Sequence, residues 1–280
     1  MEKLDDIKAI AFDADDTLWA LQNHFEDVED EYCDLLADYG SKEEISAALF
    51  ETESGNMADL GYGVKAFIIS LVENAIKVSE GKASARLIGR IVEVGKSLLH
   101  VGAKPLEGVE KTLAKLSEMR LSNNSDSSDA SEASDASIAL DASIALDASI
   151  ASIASDASIA SKEGASDRKY RLAVFTKGEL MDQENKLWRS GLQRYFDVVS
   201  IVSDKTPEAY RHLCKELEVS PEQLVMVGNS FKSDIAPALK IGASAIHIPF
   251  HTIWAHEKTE EFNHERLRRI SHFEEILEIL

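Results

Sequence analysis

The sequence predicts an α/β fold, in which a parallel sheet core carries helices on both faces and a small all-α bundle accompanies it. Two observations lead to this prediction. Short apolar runs typical of buried strands alternate with helical patterns, and they occupy residues 9–12, 170–176, 197–202, 223–227 and 243–249. Residues 20–100 show several amphipathic helical patterns but no strand pattern. We therefore expect a core formed by residues 1–19 and 101–280 and a helical domain formed by residues 20–100.

The first apolar run ends in three carboxylates, Asp13, Asp15 and Asp16. Neighbouring carboxylates at the end of a buried strand repel one another, which raises their pKa values unless a cation or hydrogen-bond donors lie among them. In open α/β sheets, ligands bind beyond the carboxyl ends of the strands. The acids therefore favour a divalent metal with a phosphate-like ligand, although the same residues could also cap a helix or fill a turn.

Two helical features follow the first strand. The run Ser41-Lys42-Glu43-Glu44 has the capping-box pattern and predicts the start of a helix. Residues 54–63 include three glycines, and we expect a break between helices there.

The composition limits the partners of the protein. The net charge is -20 and the pI about 4.8, which disfavours nucleic acid as a partner. The basic run Arg266-Leu267-Arg268-Arg269 is too short to change this expectation. No signal-peptide layout and no apolar stretch of membrane-spanning length are present, so we expect a cytoplasmic protein without a membrane partner.

Residues 122–167 form a low-complexity segment in which Asp-Ala-Ser-Ile-Ala recurs. The segment is acidic and poor in bulky apolar residues, so it cannot be expected to form a core of its own. We interpret it as a disordered or artificial insertion that joins a helix to the second strand, and we expect it to be dispensable.

The polar residues after four of the strands resemble the motifs of the haloacid dehalogenase (HAD) superfamily. Asp13, Asp15 and Thr17 fit its Asp-x-Asp-x-Thr signature. Three further matches follow in the family's order, and they are Thr176, Lys205 and the pair Asn229 and Asp234. The resemblance implies a Rossmann-like core with a helical cap inserted after the first motif. Most members are magnesium-dependent phosphatases.

The resemblance also implies roles for these residues. Asp13 would be the nucleophile that forms an aspartyl-phosphate, Asp15 the general acid and base, and Lys205 the catalytic cation. Mg²⁺ would be held by Asp13, by the main-chain carbonyl of Asp15 and by the fourth-motif residues Asn229 and Asp234. Asn229 departs from the aspartate that is common in the family, so the site loses one negative charge but not necessarily a ligand.

Four residues are candidates for binding the substrate. The resemblance assigns the hydroxyl of Thr176 to a phosphoryl oxygen, and Lys177 stands where many relatives have asparagine. A lysine there adds a cation near the leaving group. In the cap, Tyr62 and Lys65 lie where related proteins carry a specificity loop. Alternatively, Thr176 is a helix cap and Lys65 a solvated lysine beside an ordinary turn.

These features together predict a Mg²⁺-dependent phosphomonoester hydrolase that acts on a small phosphorylated metabolite. Asp15 disfavours a dehalogenase or a phosphonate-cleaving enzyme, because those relatives lack an aspartate at this position. Two alternatives stay open. One is a phosphomutase with the same motifs, and the other is a non-catalytic binding protein that keeps the fold.

Overall fold

The computed structural model describes residues 3–119 and 168–280. Six strands occur among them: β1 Ala9–Phe12, β2 Arg171–Lys177, β3 Val198–Val202, β4 Leu224–Gly228, β5 Ser244–His247 and β6 Leu267–Arg269. The strands form one parallel sheet in the order β3-β2-β1-β4-β5-β6. The prediction of a parallel α/β sheet is therefore confirmed. Chain order reverses between β1 and β4, and such a point opens a ligand-binding crevice at the carboxyl ends of the strands.

Helices cover both faces of the sheet, and the α-helices of the described residues are α1 Gln22–Leu35, α2 Lys42–Leu60, α3 Val64–Val78, α4 Ala85–Ser97, α5 Val109–Glu118, α6 Leu180–Ser190, α7 Pro207–Glu216, α8 Ala236–Lys240 and α9 Ile276–Ile279. Because side chains alternate along a strand, Ile10 and Phe12 pack on one face with α5, α6 and α9. Ala9 and Ala11 pack on the other face with α7 and α8. The sheet is buried on both faces, which explains why its strands are continuous apolar runs.

Helices α1 to α4 enclose a hydrophobic cluster of their own, with Tyr32, Leu49 and Leu71 at its centre. The capping box that opens α2 is present, because Ser41 accepts a hydrogen bond from the backbone of Glu44 and the Glu44 side chain accepts one from Ser41. The four helices and the sheet core lie in one compact unit. The boundaries of the cap at residues 20 and 100 stay a prediction.

The predicted break at residues 54–63 is wrong for its first half. Helix α2 continues to Leu60, and the turn is confined to residues 61–63. Gly61 and Gly63 have φ values of 68° and 119°, which other residues adopt only with strain. Gly55 lies inside the helix, where neighbouring side chains support it: Ser54 donates to the carbonyl of Phe50, and Asn56 donates to Ser70 on α3.

Two further sequence predictions need comment. The sixth strand, β6, was not predicted, because its three residues lie within the basic run and are too few to show an apolar period. The low-complexity segment at residues 122–167 lies outside the described residues. No helix in the described part of the chain is both long and apolar enough to cross a bilayer.

Candidate active site

Asp13, Lys205 and Asp234 form a buried cluster at the carboxyl end of the sheet. The Nζ atom of Lys205 lies 2.5 Å from Asp13 Oδ1 and 2.6 Å from Asp234 Oδ1. Asp13 directly follows β1, and its N–H donates to the carbonyl of Val227 on β4, so the edge of the sheet fixes its backbone. Three motif residues that are far apart in sequence therefore meet at one place.

Burial raises the pKa of the Asp13 carboxyl from 3.8 to about 7, and the Asp234 carboxylate adds to this, whereas Lys205 opposes it. Burial alone would lower the pKa of Lys205, but Asp13 and then Asp234 outweigh it, so its pKa is raised. The Lys205 ammonium thus pairs with two carboxylates, which leaves a net charge of -1 when both are ionised. A further cation beside Asp13 would balance that charge.

The loop after β4 places Asp234 against the sheet. Asp234 Oδ2 accepts a hydrogen bond from the N–H of Ser230, 2.9 Å away, and Tyr210 OH donates to the carbonyl of Asp234. Gly228 has to be glycine, because a Cβ atom there would overlap the Asp234 carboxylate. This close approach explains the glycine that opens the fourth motif.

Two oxygen atoms and one atom of the Asn229 amide converge on the other side of Asp13. An atom of the Asn229 amide lies 3.2 Å from Asp13 Oδ2 and 3.3 Å from the main-chain oxygen of Asp15. With nitrogen at this position the amide donates to both oxygens, and the contacts are satisfied without a cation. With oxygen there the amide accepts from Thr17 Oγ1 and faces two further acceptors, an arrangement that a cation would stabilise. Oxygen ligands of an octahedral Mg²⁺ lie about 3 Å apart, since each is about 2.1 Å from the ion. Asp13, the Asp15 carbonyl and Asn229 therefore fit Mg²⁺.

The other possible metal ligand, Asp234, is engaged by Lys205 and Ser230 through its two carboxylate oxygens. The described residues contain no group of three or more His, Cys, Asp or Glu side chains arranged to hold a metal ion. The fit to Mg²⁺ thus depends on a carbonyl and an amide together with the carboxylate of Asp13. The direct Asp234 contact stays a prediction.

The carboxylate of Asp15 is held by three side chains. Its Oδ1 accepts from Trp19 Nε1 at 2.8 Å, and its Oδ2 accepts from Gln183 Nε2 at 2.9 Å. Lys186 Nζ lies 2.8 and 2.9 Å from the two oxygens, and it also pairs with Asp182 at 3.3 Å. These donors fix the direction in which Asp15 points.

Gln183 and Lys186 were not predicted as site residues. They lie on α6, directly after the strand that carries Thr176, and both are buried although they are polar. A sequence signal existed, because Asp182 and Lys186 are four residues apart and so share a helix face near the site. A lysine on a helix is usually solvated, however, and only the fold turns this one inward.

Among the predicted substrate-binding residues, Thr176 and Lys177 follow one another at the end of β2. Gln183 Nε2 donates to Thr176 Oγ1 at 3.1 Å. Lys177 forms an ion pair with Glu257, donates to Ser233 at 3.1 Å and lies 4.2 Å from the centre of the Tyr62 ring. The Lys177 ammonium is therefore already balanced by a carboxylate.

Most of these groups line one cavity of about 180 Å³ between the sheet edge and the cap helices, although Trp19 and Tyr210 are not lining residues. It brings together most of the predicted site residues, namely Asp13, Asp15, Tyr62, Thr176, Lys177, Lys205, Asn229 and Asp234. Lys65 is not among the lining residues, and it pairs with Glu179 at 3.1 Å. Asp16 is a lining residue whose carboxylate accepts from the N–H groups of Leu21 and Gln22 at the start of α1.

Two curated proteins resemble the chain over part of its length. It is 30% identical over 92 residues to the N-acylneuraminate-9-phosphatase of Mus musculus, and the aligned region covers 31% of this chain and 35% of that protein. It is 36% identical over 83 residues to the glyceraldehyde 3-phosphate phosphatase of Methanothermobacter thermautotrophicus, and the aligned region covers 28% of this chain and 36% of that protein. The chain thus spans about a third of the length of these relatives.

Solved structures and a family model cover much more of the chain. A haloacid dehalogenase-like family hydrolase from Xanthomonas campestris is 26% identical, with a TM-score of 0.70 over 97% of this chain and 91% of that one. A putative HAD-hydrolase from Bacillus subtilis bound to magnesium is 14% identical, with a TM-score of 0.58 over 98% of each chain. At this identity the likeness indicates a shared fold and nothing more. A family model for haloacid dehalogenase-like hydrolases matches residues 7–242. The chain therefore belongs to the haloacid dehalogenase-like hydrolases.

Proposed function

We propose that this hydrolase is a Mg²⁺-dependent phosphomonoesterase that acts on a small phosphorylated metabolite through an aspartyl-phosphate. The observation that carries the proposal is the Lys205 ammonium between Asp13 and Asp234, beside the place where Asp13 Oδ2, the Asp15 carbonyl and the Asn229 amide converge. A carboxylate nucleophile needs positive charge on both sides when it approaches a phosphoryl group. The phosphatase names of the two partial relatives support the same reaction.

Each site residue has a distinct role in the proposed reaction. Asp13 attacks phosphorus, and Lys205 offsets the charge on its carboxylate and on the phosphoryl oxygens. Asp15 gives a proton to the leaving oxygen and then takes one from the water that hydrolyses the aspartyl-phosphate. Thr176 holds a phosphoryl oxygen through its hydroxyl. Mg²⁺, when bound, supplies further positive charge to the nucleophile and the phosphoryl group.

Phosphate release from a panel of phosphomonoesters, with and without Mg²⁺, tests the proposal. The panel includes N-acylneuraminate 9-phosphate and glyceraldehyde 3-phosphate. We expect Mg²⁺-dependent turnover that falls by on the order of 10⁴- to 10⁶-fold in Asp13→Asn, the range seen when a nucleophile is removed. Asp38→Asn is the matched control, because Asp38 is exposed on the cap and lies outside the cavity lining.

Two results would contradict the proposal. Turnover that survives in Asp13→Asn would exclude the aspartyl-phosphate. Folded protein that binds Mg²⁺ but releases phosphate from no ester would favour a phosphomutase or a non-catalytic binding protein. Transfer of the phosphoryl group between two positions of a substrate, without release to water, separates the mutase from the binding protein.

A further inference from the structure

The cavity contains far more negative than positive charge. Nine carboxylate side chains and three lysines line it within the described residues. Each lysine is already paired: Lys205 with Asp13 and Asp234, Lys186 with Asp15 and Asp182, and Lys177 with Glu257. All three lysines belong to the sheet side of the cavity, where the phosphoryl group is proposed to bind.

The cap half of the cavity, defined as the lining residues between Leu21 and Ser70, has a different character. The structure describes every residue from Leu21 to Ser70, and the lining residues among them include the carboxylates of Glu29 and Glu53 but no lysine or arginine. Lys65 falls within the same range, but it pairs with Glu179 and is not a lining residue. The Lys177 ammonium borders this half, 4.2 Å from the centre of the Tyr62 ring, but it is paired with Glu257. An anionic group entering the cap half would therefore meet, among the described lining residues, no lysine without a carboxylate partner.

His256 lies beside Glu53, but its Nε2 is 3.9 Å from Glu53 Oε2, which is beyond hydrogen-bond distance. Burial and then Lys232 lower the pKa of His256, which favours its neutral form. Burial raises the pKa of Glu53 to about 7, and Glu29 adds to this. A carboxyl group titrating near pH 7 can donate or accept a hydrogen bond, and neither of its forms carries a positive charge that would balance an anion.

Apolar side chains complete the cap half. The rings of Phe25 and Phe67 pack 5.1 Å apart, and Met57, Val64 and Tyr62 are further lining residues. A cavity of about 180 Å³ suits a ligand smaller than a drug molecule. Carboxylates set in an apolar wall bind hydroxyl or ammonium groups through hydrogen bonds, whereas a second anion would be buried without a partner.

We propose that the leaving group of the substrate is a small alcohol that carries hydroxyl or amino groups but no carboxylate and no second phosphate. This inference rests on the proposed phosphomonoesterase function and names the substrate class of that site. Glu53 is the specificity-determining residue, since it lines the cap half and, in the described part of the chain, no cation lies within hydrogen-bond distance of it.

Matched substrate pairs of equal carbon number test the inference. Glycerol 3-phosphate is compared with 3-phosphoglycerate, and phosphoethanolamine with 2-phosphoglycolate. We expect the wild type to favour the first member of each pair by at least about tenfold in kcat/KM, because like charges placed together are strongly unfavourable. Glu53→Lys should lower that ratio by at least about tenfold, since it brings a cation to the carboxylate of the second member.

Glu51→Lys is the matched control, because Glu51 is an exposed residue of the same helix and the charge change is identical. Its ratio should equal that of the wild type. Glu53→Gln adds no bulk or charge, and it covers the case in which Glu53→Lys fails to fold. Its ratio should shift in the same direction by a smaller factor.

Failure of the inference is distinguishable from failure of the proposed function. Mg²⁺-dependent turnover with a preference for the acidic member of each pair would overturn the inference and leave the phosphomonoesterase intact. A ratio unchanged in the folded Glu53 variants would do the same. If the wild type hydrolyses none of the esters in either panel, the proposed function fails, and the inference fails with it.

Discussion

Replacing Lys186 with methionine removes the ammonium that holds Asp15 and keeps most of the side-chain volume. The ammonium contacts both oxygens of Asp15, at 2.8 and 2.9 Å, and only 4% of the lysine side chain is exposed. Burial alone would lower the pKa of Lys186, but Asp15 and then Asp182 outweigh it and raise the pKa. The side chain is therefore a buried, charged group with two carboxylate partners.

Removing one partner of a buried ion pair costs about 3–5 kcal/mol. We expect the low end, about 3 kcal/mol, because Asp15 keeps the N–H donors of Trp19 and Gln183 and its side chain is 23% exposed. In thermal unfolding, a loss of this size lowers Tm by roughly 6–12 °C. Lys215→Met, at an exposed position of α7, is the control and should change stability by less than about 0.5 kcal/mol.

The effect on turnover shows whether Lys186 positions Asp15 for catalysis. General acid catalysis contributes about 10²- to 10⁴-fold, so a misdirected Asp15 should lower kcat on an alkyl phosphate by on the order of 10²-fold. The loss should be much smaller on 4-nitrophenyl phosphate, whose leaving group departs without a proton. Lys186→Arg keeps the charge and the donors, and it should recover part of the lost turnover.

A double-mutant cycle decides whether Lys186 acts through Asp15. If it does, Asp15→Asn/Lys186→Met loses no more turnover on the alkyl ester than Asp15→Asn alone. Fully additive losses would refute the reasoning, as would equal losses on the alkyl and nitrophenyl esters. If Lys186→Met does not fold, the cycle is run with Asp182→Asn added, so that Asp182 is not left as a buried carboxylate without its lysine.

Asn229→Asp adds a carboxylate to the oxygen cluster, and titration calorimetry should show Mg²⁺ affinity rising roughly tenfold; unchanged affinity would exclude Asn229 as a ligand. The free energy of unfolding of the wild type should decrease as the pH rises from about 4.5 to 7. The reason is the raised pKa of Glu53, because in this range the folded state keeps a proton that the unfolded chain releases. Denaturant unfolding at several pH values should show a weaker fall in Glu53→Gln, and parallel curves would contradict this. Deleting residues 122–167 should leave Tm and phosphate release unchanged, and a folded but inactive deletion variant would show that the segment contributes to the site.

The sheet and the motif residues were largely predictable because their signals are local. A buried parallel strand is a continuous apolar run, and the polar residue that ends it marks the ligand edge. Asp13, Thr176 and Lys205 were each placed at such an edge, and the structure brings them into one cavity. β6 escaped prediction because three residues at the edge of a sheet carry too little apolar pattern to be seen.

The cap was less predictable, since turn residues also occur inside helices. Gly55 and Asn56 suggested a break, yet α2 continues through them because contacts with α3 support that stretch. Tyr62 and Lys65 were equally plausible site residues on the sequence. The structure makes Tyr62 a lining residue of the cavity, whereas Lys65 pairs with Glu179 outside that lining.

The sequence by itself determined the fold class, the order of the motifs and the family that they indicate. These signals are local, because each consists of an apolar run and of the polar residues that directly follow it. Only the tertiary structure decided which charges face one another. Lys186 and Asp15 are 171 residues apart, and nothing local distinguishes that lysine from a solvated one. Ion pairing and burial depend on distances through space, so the balance of charge in the cavity, and with it the proposed substrate class, could be read only from the folded chain.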